Sequence, residues 1–174
     1  MMPVFFLLVF GIIEFGAAYG DKLGASNAVT SGTRTASAGG NDGFADYFIL
    51  QSVVKSSSAI TRGGVKYVVV FKATGVDSVP SALCLAGTPE TGKCNVYDPS
   101  EFSTPKASFG CQTAALDKSW CPSDRKTSQT VASGGPPDYI GVYIKVVHTY
   151  YTGFFGSAVT LTDQAIIQIE PRQL

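Results

Sequence analysis

Charge is scarce in this chain. Only 15% of its 174 residues are Asp, Glu, Lys or Arg, thirteen of each sign, for a formal net charge of zero. Lys and Arg never occur three in a row, so no basic patch is available to neutralise phosphates, and nucleic acid is excluded as a partner. Histidine is nearly missing, His148 being the single one, and no Cys-x-x-Cys or Cys/His cluster offers zinc ligands. The Gly-Gly pairs and Ser56-Ser57-Ser58 lack the Lys-Ser/Thr of a phosphate loop. Asp117, Asp124 and Asp138 follow no calcium-loop spacing. His148 has no nucleophile or acid adjacent in sequence, and reads as a core or edge histidine. We therefore expect no metal, no cofactor and no small-molecule substrate, and nothing recommends an enzyme.

Basic residues are also missing from the first twenty positions, MMPVFFLLVFGIIEFGAAYG. Between Pro3 and Ala18 the only formal charge is Glu14. A helix over Pro3–Gly20 reaches ~27 Å, close to the ~30 Å of a bilayer's hydrocarbon core. Three readings compete for it. A cleaved secretory signal would have a basic leader before the apolar run, which is absent, although Ala18-Tyr19-Gly20 fits a cleavage site. A core helix of a soluble domain can be apolar all round. A retained anchor at residues 1–20 fits best, with Pro3, Phe5, Leu7, Phe10, Ile13, Glu14 and Phe15 as its packing residues. A carboxylate within a membrane helix faces protein or marks function, a reason for a retained helix to carry Glu14; near the outer end it can instead reach the interface. With no charge before the helix, orientation cannot be read from the positive-inside rule.

The remaining length supports one domain over residues 41–174, with residues 21–40 either a helix extension or a linker. Small residues in Asp21–Ser37 propagate a helix poorly but let other backbones come close. Asn41 or Asp42 can cap a second helix, with Phe44, Tyr47, Phe48, Gln51 and Val54 near one face and Gly63-Gly64 as its stop. Val65–Lys72 reads as a central, well-covered strand. Residues 77–137 break up into a long, proline-rich insertion, with Phe102, Phe109, Leu116 and Trp120 as apolar pins. Beside Cys121, Trp120 is a packing residue before it is a recognition anchor. Tyr139–Tyr151 is the clearest strand, with Ile140, Val142, Ile144 and Val146 on one face. The turn Thr152–Gly156 joins it to Ala158–Glu170 in an antiparallel hairpin.

Cys84, Cys94, Cys111 and Cys121 are even in number and follow an export-like segment, which favours disulfides over free buried thiols. Of the three connectivities, 84–94 with 111–121 is favoured, since each bond closes a short loop. The fold class expected is α+β: a long N-terminal helix, a short helix and a small antiparallel sheet with a disulfide-pinned insertion.

The opening LLVFGIIEFG, the small-residue stretch NAVTSGTRTAS and the tail PPDYIGVYIKVVHTYYTGFFGSAVTLTDQAIIQIEP together resemble the TadE-like proteins of the tight-adherence (Tad) pilus system, the tail being the more specific part. The resemblance implies a pilin-like pseudopilin or minor pilin of bacteria. It would have one membrane helix, an extracytoplasmic head and a part in pilus assembly. Its partners would be the membrane, other pilins and the Tad assembly machinery, and its place the cell membrane, with possible association with the pilus. Members often carry a basic stretch, a Gly and a Glu-Phe motif where prepilin peptidase cuts. Here Met1-Met2-Pro3 stands where the family is already inside its helix, so either the start lies upstream or this member is unprocessed. Gly11–Phe15 resembles the family's internal Glu-Phe. Two alternatives stay open: a surface binding module on one membrane helix, and a secreted protein if the first segment is cleaved.

Overall fold

The computed structural model describes residues 2–61, 63–130 and 135–171. Helix α1 runs unbroken over Met2–Gly39, continuing through residues 21–39. It ends where Gly40 adopts φ +57° and donates its N–H to the Ala36 carbonyl, a left-handed cap that glycine takes without steric cost. Asp42 then accepts from the Phe44 N–H, and α2 follows over Ala45–Ser56.

The face that α2 buries differs from the expected one. Ala45, Asp46, Ile49, Leu50 and Val53 are inside, whereas Phe48 is exposed and Phe44, Tyr47 and Val54 pack only at the margin. Asp46 was an unattractive core residue until its partners are known. The stop also falls earlier than Gly63-Gly64: α2 gives way to a 3₁₀ turn at Ser57–Ala59, and the two glycines open strand β1.

Four strands form one antiparallel sheet in the order β2-β1-β3-β4. They are β1 (Gly63–Ala73), β2 (Cys94–Tyr97), β3 (Tyr139–Thr149) and β4 (Ala158–Gln168). The two helices cover one face. Ala25, Ala28, Val29 and Ala36 of α1 and Ile49, Leu50 and Val53 of α2 meet Val68, Val70, Ile140, Val142, Ile144 and Val146. The small residues of α1 allow this approach: a Cβ on Gly32 would come within 2.5 Å of Val53 Cγ2. On the opposite face Val69, Phe71, Ala73 and Tyr143 pack with Cys84 and Cys94. Burial on both sides explains why Val68–Phe71 shows no polar alternation.

The insertion is more ordered than its proline content indicates. It holds a short helix, α3 (Ala82–Leu85), strand β2 and 3₁₀ turns at Pro99–Glu101, Lys106–Ser108 and Pro122–Asp124. Residues 131–134 lie outside the described residues. Phe109 and Trp120 are buried in the helix-side core, and Phe102 and Leu116 lean on it. Disulfides join Cys84 to Cys94 and Cys111 to Cys121, leaving no free thiol. Asp117 is buried and accepts the N–H groups of Gly110 and Cys111, both at positive φ, which fixes the second loop. Cutting either crosslink by Cys→Ala is expected to lower stability by ~2–3 kcal/mol, read as an earlier denaturation midpoint. The thiols should resist maleimide until reduced; four thiols labelled in the native protein would contradict the pairing.

Candidate functional site

The apolar end of α1 stands clear of the sheet. Phe5, Leu7, Phe10 and Ile13 are exposed, as are their neighbours from Val4 to Val9 and Ile12; the side chain of Pro3 lies outside the described residues. α1 is long and apolar enough to cross a membrane. It runs antiparallel to β3: Glu14 sits at the β3–β4 turn, Asp21 at His148, and Ser37 at Gln168.

Glu14 breaks the exposed run. Its side chain is fully buried (0% accessible), although Ile13 and Phe15 on either side are exposed. The carboxylate accepts the Tyr151 N–H on Oε2 at 2.8 Å, and the Thr152 N–H at 2.5 Å and Thr152 hydroxyl at 2.8 Å on Oε1. A carboxylate so paired clasps the hairpin to the helix with charge-assisted bonds. Glu14 therefore faces protein, and its partners Tyr151 and Thr152 belong to its own chain. Nor does Glu14 reach toward solvent.

Around this clasp the hairpin turn lies along α1. The Phe154 ring is 6.3 Å from that of Phe10, and the Phe155 ring 5.1 Å from that of Phe15. Leu7, Leu8, Gly11, Ile12, Phe15 and Phe155 line a shallow apolar groove between turn and helix. Gly11 stands beside the Phe155 ring, where an added Cβ would be 3.7 Å from Phe155 Cζ, an ordinary contact.

Two turns of helix farther on, the environment becomes polar. Asp21, buried, meets His148 Nδ1 at 2.6 Å and accepts the Thr61 N–H at 2.8 Å. The core reading of His148 thus acquires an acidic partner. Lys22 bonds the Thr162 carbonyl and pairs with Asp163 at 3.1 Å, tying α1 to the edge strand β4.

A second buried charge cluster lies in the head. Asp46 of α2 accepts from Arg125 Nη2 at 2.5 Å, from the Tyr97 hydroxyl at 2.7 Å and from Asn95 Nδ2 at 2.8 Å. Burial, then the Asp46 charge, pushes the Tyr97 phenol well above its ordinary pKa, so it stays protonated and donates. Asn95 also grips both backbone groups of Trp120, and the Arg125 guanidinium lies 4.3 Å over the Trp120 ring. Asp46, Arg125, Asn95 and Tyr97 are all closed off from solvent, which makes the cluster a brace between α2, β2 and the insertion. Among the described residues no group of three His, Cys, Asp or Glu side chains is placed to hold a metal ion.

Sequence reasoning singled out Glu14 and the apolar helix but missed Asp21, Asp46 and Arg125. It placed the turn Thr152–Gly156 as a hairpin connection but gave it no contact with α1, although no charge separates His148 from Asp163 and glycines bracket Phe154-Phe155.

Residues 1–34 match the family model described as TadE-like protein. The tail, which carried the more specific part of the resemblance, lies outside that match. No curated protein and no solved structure matches the chain. The similarity to TadE-like proteins thus covers most of α1 and none of the sheet.

Proposed function

We propose that this protein is a membrane-anchored pseudopilin or minor pilin of a Tad pilus, with α1 as its single span and the disulfide-braced head on the extracytoplasmic side. One observation carries the reading: a TadE-like α1 keeps Val4–Ile13 almost wholly apolar and exposed, while the rest of the helix is built into a folded head. Exposed apolar surface on that scale needs a lipid or protein cover. Two disulfides fit an oxidising compartment outside the cytoplasm.

In this reading α1 holds the subunit in the bilayer until it packs beside pilin helices, and the head then joins or primes the filament. The protein should stay with the membrane fraction after alkaline washing and bring pilus-assembly proteins with it out of detergent. A mature product that begins near Asp21 and is found in the medium would overturn this. Glu14→Gln should lower pilus output several-fold without releasing the protein from the membrane, because the apolar run is intact and only the clasp is weakened. Unchanged output would remove Glu14 from the mechanism.

A further inference from the structure

We propose that the β3–β4 turn, Thr152–Gly156, is a second membrane contact: Phe154 and Phe155 enter the bilayer surface beside α1, so that the head is seated on the lipid at two points. The inference rests on the anchor reading of α1 and goes beyond it.

Position is the first argument. The turn reaches past Glu14 toward the N-terminus of α1 and touches it at Phe10, Gly11 and Phe15. Lys22 is the first cation along the helix. Phe10–Phe15 precede it by roughly 10–18 Å of helix axis. The headgroup layer on each side of a bilayer takes about 5–8 Å. With residues 1–20 as the span and Lys22 at the headgroup layer, the stretch of α1 beside the turn lies at or below the headgroups, and the turn goes with it.

Chemistry is the second. The segment from Thr149 to Thr162 carries no charge. Phe154 is 72% exposed and Tyr151 53%, far more than a turn needs for its own packing, and Tyr150 and Phe155 complete an aromatic group of the kind that gathers at membrane interfaces. A loop enters that region at less cost the more of its backbone is satisfied within the protein. Glu14 takes the Tyr151 and Thr152 amides, Thr152 Oγ1 takes that of Phe154, and the Gly153 carbonyl takes that of Gly156. The buried carboxylate thereby takes two of the turn's amides out of play, and those of Gly153 and Phe155 are left to the water and headgroups of the bilayer surface. Continuity decides the occupant. The exposed rings of the turn and of α1 form one apolar surface, and whatever covers Leu7, Leu8 and Ile12 also covers Phe155.

Spin-label depth measurement tests this on the full chain in vesicles of phosphatidylethanolamine and phosphatidylglycerol. The native cysteines are paired, so Phe154→Cys, Leu8→Cys and Val76→Cys each supply one reactive thiol. Val76 is exposed and sits past the end of β1 remote from the turn. The Phe154 label should collide with oxygen over a water-soluble nickel chelate at a ratio several-fold above that of the Val76 label and close to that of the Leu8 label. A lipid-like Leu8 with a water-like Phe154 overturns the second contact and leaves the anchor standing. Water-like values at both overturn the anchor and this inference together. Dipolar broadening at Phe154 that diluting with unlabelled protein removes would replace lipid by a second copy and overturn it as well.

Discussion

Asp46→Ala lowers the unfolding free energy of the head by about 3–5 kcal/mol, because it leaves the Arg125 guanidinium buried without its counter-charge. Arg125 and Asp46 are both fully closed off, so water cannot step in cheaply. Two further N–H or O–H groups lose their acceptor at the same time, the Tyr97 hydroxyl and the Asn95 N–H that does not bond the Trp120 carbonyl. The double variant Asp46→Leu/Arg125→Met should regain much of the loss, since an apolar pair of similar volume often replaces a buried ion pair at little cost. It should stay about 1–3 kcal/mol short for the stranded donors. Denaturant midpoints in detergent, with the disulfides intact, measure both. If the single variant shifts the midpoint no further than a surface substitution, the cluster is not the brace described.

The second large effect is steric. Gly141 in β3 lies opposite Phe71, and a Cβ there would stand 2.2 Å from Phe71 Cζ. The Phe71 ring is itself buried, so it has nowhere to swing. Gly141→Val should therefore expel the ring, at about 3–5 kcal/mol, the usual loss for removing a core Phe. For a chain of this size that is a fall of roughly 10 °C in Tm, readable by circular dichroism. In the cycle of Gly141→Val with Phe71→Leu the double variant should lose less than the two single changes summed, a coupling that reports the shared space. Additive losses would mean that the two positions do not share the space.

Where order is local, the sequence discloses it. β3 is visible because Ile140, Val142, Ile144 and Val146 alternate onto one face, and its pairing with β4 follows from the short turn between them. α1 is visible because a long apolar run has few alternatives. β2 is not: Cys94–Tyr97 is four residues, too short for a period, and is recognised only by its register with Val68–Phe71. The α2 face was misjudged for a related reason. Asp46 enters the core because Arg125, 79 residues on, comes to meet it. Glu14 with Thr152 and Asp21 with His148 are separated by 138 and 127 residues. No window of residues contains both members of such pairs, so a chemical motif built from them leaves no local trace.

One practical matter follows from the way the helix carboxylate holds the hairpin. A water-soluble version of the head is most simply made by deleting the apolar leader up to Asp21, and that cut discards Glu14. The truncated product would present two bare amides at Tyr151 and Thr152 and a loosened aromatic loop, and would invite strand-to-strand sticking between copies. Trimming only as far as Ile13, with the remaining surface rings exchanged for polar side chains, keeps the fastening and removes the grease.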